Sequence, residues 1–191
     1  RYWRDWSSDV CSSDLERMAT VASGTPYAAV TQQENNNNRA ELVAVINAPV
    51  DEVWAVVFDY GRYSTWFPDQ RRSTVDSTSG RSRVLSGTTA VPILRDRTYQ
   101  LNEQYRTTTN DAGQTVYIDT WDYIPGSGNL ESTSGFWYIA PYDDANTRTV
   151  VRMVVHANLG MWLPNAIINW GTRRILPGIA SGIQAQCDAR R

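Results

Sequence analysis

The sequence predicts an α+β fold built on an antiparallel sheet, and three observations predict it. The stretch Ile46 to Asp69 reads as the end of a strand, a helix entered through a proline, a sharp turn and a second short helix. A run of strand-like segments separated by short polar turns follows. A long helix with one apolar stripe ends the chain.

In the first stretch, Ala48 and Pro49 stop the strand, because proline cannot donate to a ladder but has its φ preset for a helix start. Asp51 and Glu52 fall in the first turn, where carboxylates suit the positive end of the helix dipole. Val53, Val56 and Val57 make an apolar face with Trp54 beside it. Gly61 permits the reversal, and Tyr63, Trp66 and Phe67 precede the terminating Pro68.

Before this stretch, 39–47 alternates enough for a first strand. After it, strands are predicted over 71–77, 83–90, 96–107, 115–124, 131–140 and 147–158. Ser79-Gly80, Asn110-Asp111-Ala112-Gly113, Pro125-Gly126-Ser127-Gly128 and Asp143-Asp144-Ala145-Asn146 supply turns, which argues for an antiparallel meander. A helix is predicted over 164–189, where Ile168, Ile175, Ile179 and Ile183 recur at seven- and four-residue steps. Pro177 removes one of its hydrogen bonds and crowds the carbonyl of Arg173, while Gly178 and Gly182 each cost about 1 kcal/mol against alanine. Either the helix bends to follow a curved sheet, or it hinges to open a cavity.

The chain's beginning is different in kind. Asp5 to Leu15, DWSSDVCSSDL, has no structural period and resembles a translated sequencing adaptor, so residues 1–16 are expected to be an artefact of a bacterial, environmentally assembled sequence. Residues 17–38 are expected to be a disordered or loosely attached arm that ends in four asparagines. The remainder, residues 39–189, suits one domain. Setting Cys11 aside leaves Cys187 alone, with no intramolecular disulfide. No window approaches the ~20 apolar residues of a membrane span. We therefore expect a soluble protein of the bacterial cytoplasm or periplasm.

Composition excludes several chemistries. A formal net charge of −2 gives no footprint for nucleic acid. All eighteen basic residues are arginine, so lysine Schiff-base and lysine general-base mechanisms are not available. There is one histidine, and no CxxC, HExxH, GxSxG or phosphate-cradling glycine loop. No metal, cofactor or catalytic residue is assigned.

The motif APxxEVWxVxxDYxxYxxWxPD over 48–69 resembles the opening of the START-like, polyketide cyclase and lipid transport superfamily. Pro92 with Leu94-Arg95-Asp96-Arg97 resembles the entry to a central strand in those proteins. Trp162-Leu163-Pro164-Asn165, running into Ile175-Leu176-Pro177-Gly178, resembles the start of their C-terminal helix. The resemblance spans roughly 39–189. It implies a helix-grip (START/Bet v-like) fold, in which a curved antiparallel sheet wraps a long C-terminal helix. It further implies a hydrophobic small-molecule ligand such as a lipid, sterol, isoprenoid quinone or polyketide. An aromatase/cyclase enzyme acting in the same cavity is the alternative. Transient membrane contact and a monomer complete the expectation.

The candidate ligand-binding residues follow from both arguments. Trp66 and Phe67 would form part of a rim, and Trp162 is among the rings that would line the pocket. Tyr99 on one strand, Tyr117 and Trp121 on the next and Trp137 on the one after would line an apolar pocket, with Ile168, Ile175 and Ile179 opposite. Tyr117, Trp121 and Tyr123 share a face with Asp119. Arg95 and Arg97 flank Asp96, and alternation leaves open which of them enters the pocket. In 150–158, Val151, Met153, Val155 and Ala157 share one face and Arg152, Val154, His156 and Asn158 the other. Arg152 and His156 are then either surface groups or polar anchors for a ligand. For an enzyme, Asp119, Asp122, His156 or a tyrosine would be the acid or base.

Overall fold

Alternating burial along the strands of 82–89 and 149–153 shows why the chain forms a sheet with one dry face. In the computed structural model, which describes residues 20–92 and 94–191, eight strands form one antiparallel sheet. They are β1 (Tyr27–Gln32), β2 (Asn37–Ile46), β3 (Gln70–Ser79), β4 (Ser82–Thr89), β5 (Arg97–Thr109), β6 (Thr115–Tyr123), β7 (Ser132–Pro141) and β8 (Thr149–Asn158). Their order is β1-β2-β8-β7-β6-β5-β4-β3, so a meander from β3 to β8 is closed by pairing β8 with β2. Leu42 faces Met153, and Ala44 faces Val151, in that closing ladder.

Helix α1 (Val50–Phe58) and the single turn α2 (Tyr63–Trp66) lie between β2 and β3. Val53, Val56 and Val57 of α1 are buried, as the valine spacing requires. The N-terminus of α1 is held from the β7–β8 turn: Val50 N–H donates to Asn146 Oδ1 at 3.0 Å. The C-terminal helix has three parts, α3 (Asn165–Trp170), a π-helical turn (Gly171–Ile175) and α4 (Leu176–Asp188). It packs on one sheet face through Leu176, Ile179, Ala180, Ile183 and Cys187, against Leu42, Ala44, Ile46, Trp137, Ile139 and Val151. This is the helix-grip arrangement.

The structure differs from the sequence reading in two places. Residues 27–38 are tied into the sheet: β1 pairs with β2 from Tyr27↔Val43 to Gln32↔Asn38. The first half of the asparagine run makes the β1–β2 turn, where Asn35 and Asn36 take φ of 56° and 60°, a left-handed conformation that asparagine tolerates better than most residues. Residues 1–16, Cys11 among them, lie outside the described residues.

The second difference is the phase of the C-terminal helix. The π turn, closed by Leu176 N–H on the carbonyl of Gly171, inserts a residue into the helical count. Upstream of it the buried position is therefore Ile167, while Ile168 and Ile175 are half-buried. The turn lies immediately before Pro177, which has no N–H to give and would crowd the carbonyl four residues back in a regular helix. Widening the helix there relieves the crowding.

Candidate functional site

The site is the concave sheet face between α1, α2 and the C-terminal helix, and strand parity decides which side chains reach it. The inward set is Arg83, Leu85 and Thr89 on β4, then Arg97, Tyr99, Leu101, Glu103 and Tyr105 on β5, with Tyr117, Asp119 and Trp121 on β6 and Trp137 on β7. Tyr60, Tyr63, Leu85 and Leu101 form a buried cluster with Trp66, Phe67, Tyr99 and Trp121 packed around it. At the α1 end, Trp54 stacks on Tyr117 with centroids 4.7 Å apart, and Tyr105 meets Phe58 edge-on at 4.8 Å. Tyr117 Oη donates to Asp51 Oδ1 at 2.7 Å; burial and that carboxylate push the phenol up to about 12.

The candidates from sequence separate into groups. Tyr99, Tyr117, Trp121 and Trp137 share the concave face, and Ile179 is buried against the same core. Trp66 and Phe67, at the end of α2, pack on Tyr63 with ring centroids at 4.8 and 5.0 Å. Arg97 enters the concave face through its pairing opposite Thr89, whereas Arg95 is exposed in the preceding loop. Trp162 is 61% exposed in the loop before α3, next to Met161, whose sulfur lies 4.0 Å from Arg97 Nη2.

Arg152 and His156 are not brought to this group. They lie on the outward face, opposite in parity to Val151 and Met153. There Arg152 binds Glu41 at 2.7 Å, and Arg39 holds the other Glu41 oxygen at 2.7 Å. Burial raises the Glu41 carboxyl, but the two guanidiniums outweigh it and hold the group below its ordinary range. His156 is exposed opposite Arg39 and Ser134. A groove of about 200 Å³ edged by Arg72, Ser86, Gln100 and Ser127 opens on this outward side as well.

The sequence reading named Asp119 but missed the two charged residues it meets on the concave face, Arg83 and Glu103. Arg83, Glu103 and Asp119, from three neighbouring strands, are buried together. Arg83 Nε donates to Glu103 Oε2, its Nη1 donates to the carbonyl of Phe58 at 2.8 Å, and its Cζ lies 3.6 Å over the Phe58 ring. Asp119 is linked to Glu103 by a side-chain hydrogen bond. Burial, and then the Glu103 charge, lift the Asp119 carboxyl well above its usual range. Arg83 Nη2 and Asp119 Oδ1 are buried without a hydrogen-bond partner. Tyr63 Oη caps the cluster by donating to the Val57 carbonyl at 2.7 Å. The signal was available: Arg83 and Glu103 have the same parity as buried Leu85 and Leu101.

Toward the loops, Tyr99 Oη lies 3.1 Å from Gln70 Oε1 and 3.2 Å from Thr89 Oγ1. Among the described residues there is no cluster of three or more histidine, cysteine or carboxylate groups suited to a metal. Nor is any described helix long and apolar enough to cross a membrane.

A sheet gripping a helix, with an aromatic concave face and a buried polar centre, defines a ligand-binding domain of the START/polyketide cyclase type. Residues 38–184 match the family described as polyketide cyclase / dehydrase and lipid transport, and the chain belongs to that family. Solved structures agree on the fold. Human StAR-related lipid transfer protein 5 is similar at a TM-score of 0.65 and 13% identity, over 94% of this chain and 95% of that one. A STAR-related lipid transfer protein fragment from Xanthomonas axonopodis gives 0.62 and 14%, over 85% and 99%. The Zhui aromatase/cyclase from a Streptomyces species gives 0.61 and 14%, over 81% and 95%. No curated protein sequence matches the chain.

Proposed function

We propose that this chain binds and carries a hydrophobic small molecule (a lipid, sterol, isoprenoid quinone or polyketide) between the concave sheet face and the C-terminal helix. The observation that carries this reading is the seam between that helix and α2. Gly178 and Gly182 bring the helix directly onto Pro68 and Trp66, and the π turn lies just upstream. Such irregularities cost helix stability and are frequent at functional sites. A seam of glycine on flat rings, without interdigitated side chains, can part as a unit. Burial of the ligand at roughly 25 cal/mol per Å² supplies affinity, and the polar groups on β4, β5 and β6 orient it. Access runs between the helix, the Phe67-Pro68 turn and the 125–129 loop. The exposed Trp162 beside that opening suits brief contact with a membrane surface. Native mass spectrometry of the purified chain, before and after solvent extraction and after incubation with a lipid panel, tests the reading. A mass shift removed by extraction or restored by the panel is expected; reproducible failure of both overturns it.

One observation favours the aromatase/cyclase alternative, with a polyketide-like substrate. Asp119 is a carboxyl buried beside Glu103 on the apolar face and raised well above its usual range by burial and that charge, the kind of group that general acid catalysis uses. An Asp119→Asn variant separates the two readings. A carrier retains uptake of its ligand, whereas an enzyme retains binding and loses turnover.

A further inference from the structure

The concave face is open at its loop end and closed further in. On passing inward from the loops, the inward-facing residues change from partly exposed to buried: Tyr99 to Leu101 on β5, Trp121 to Asp119 on β6, Gly135 to Trp137 on β7 and Val155 to Met153 on β8. The loop-end half is therefore a trough, and on β6, β7 and β8 its last open row is Trp121, Gly135 and Val155, which stand opposite one another in register. Behind that row, Trp137 and Met153 belong to the core that the C-terminal helix packs on.

Trp121 occupies this row because of the glycine facing it. A Cβ built on Gly135 would overlap Trp121 Cζ2 and lie 2.8 Å from Cε2, so the indole rests across the backbone of β7 in the space a side chain would fill. The same Cβ would overlap the Val154 carbonyl oxygen, so a larger residue at 135 disturbs the β8 backbone as well as the ring. Glycine inside a strand weakens it and marks a close approach; here the approach seats an aromatic ring. Trp121 packs against both the helix-gripped core and the Leu85–Leu101 cluster, so the ring closes the end of the trough where the two meet.

We propose that Trp121, bedded on Gly135, is the stop that sets how far an apolar chain reaches into the trough, and so which chain lengths the protein selects. This rests on the carrier reading and adds a length limit to it. Each methylene buried should raise affinity roughly fourfold, until the chain end meets the indole. The next row inward is two residues away along the strands, ~6.6 Å, the length of about five methylene groups.

Titration calorimetry of the full chain with straight-chain alkanoates of eight to eighteen carbons, each below its micelle concentration, locates the length at which affinity stops rising. Trp121→Ala is expected to move that break to chains longer by about five carbons, and Trp121→Phe by fewer. A merely structural role for the ring would lower affinity at every length together and leave the break in place. Near-UV circular dichroism confirms the fold, and Trp121→Phe carries the test if the alanine variant does not fold. If the wild type shows no break, or the break stays at the same length in the folded variants, the stop assignment fails and the carrier reading stands. If no alkanoate binds the wild type and lipid extraction is also empty, both fail together.

Discussion

Gly182 lies directly against Trp66: a Cβ built on it would come within 2.9 Å of both the ring atom Cε3 and the Trp66 carbonyl oxygen. The contact with backbone cannot be relieved by a side-chain rotation. Alanine at this position gains about 1 kcal/mol of helix propensity but meets an overpacking cost of about 1–3 kcal/mol. Gly182→Ala is therefore expected to destabilise the protein, read as a lower midpoint in urea. At Gly178 the 2.9 Å neighbour is Pro68 Cγ, part of a side chain, so Gly178→Ala should cost less. A stabilised Gly182→Ala variant would show that the seam is loose.

The buried Arg83–Glu103 pair should behave asymmetrically. Arg83→Met takes the cationic partner from the Glu103 carboxylate and the donor from the Phe58 carbonyl, and breaking a buried pair on one side costs about 3–5 kcal/mol. Replacing both partners, Arg83→Met with Glu103→Leu, should restore most of that loss. Urea titration of the two single variants and the double variant measures the coupling. A single variant that lost less than about 1 kcal/mol would mean the pair is effectively solvated.

Local pattern carried much of the architecture. The valines of α1, the polar turns of the meander and the parity of Tyr117, Asp119 and Trp121 each follow from short-range spacing. Four features escaped it for physical reasons. Strand β1 contains Ala28 and Ala29 and has little periodicity, so only its ladder with β2 identifies it. The β2–β8 closure joins residues more than a hundred positions apart, beyond any local signal. Arg83 and Glu103 sit at core parity, where charge is ordinarily read as an outward-facing residue; their mutual pairing reverses that expectation. The π turn also shifts the helical phase, which is why the isoleucine stripe marked Ile168 and the structure buries Ile167.

The neutral Asp119 gives stability a definite pH sign. Its folded pKa is raised above the unfolded value, so its contribution is complete below that value and is lost as pH rises through the folded one. As pH rises above the ordinary carboxylate range the wild type should lose stability relative to Asp119→Asn, which stays neutral throughout. Glu41 has the opposite sign, because its pKa is lowered; its contribution is present above the unfolded value and disappears in acid. Urea midpoints measured as a function of pH decide the matter. Parallel profiles for wild type and Asp119→Asn would sink the assignment of Asp119 as the neutral carboxyl.

Trp162 separates folding from exchange. With 61% of its surface exposed, its replacement by alanine should change stability by no more than about 0.5 kcal/mol. If the opening next to Met161 and Arg97 meets a bilayer during loading, the indole is well suited to the interface. Trp162→Ala should then slow ligand uptake from vesicles several-fold while leaving equilibrium affinity for the dissolved ligand unchanged. Stopped-flow transfer from fluorescent-lipid vesicles, run beside calorimetry in free solution, resolves the two quantities. Equal uptake rates would remove Trp162 from the loading step, whereas a matching loss of affinity would make it part of the binding surface.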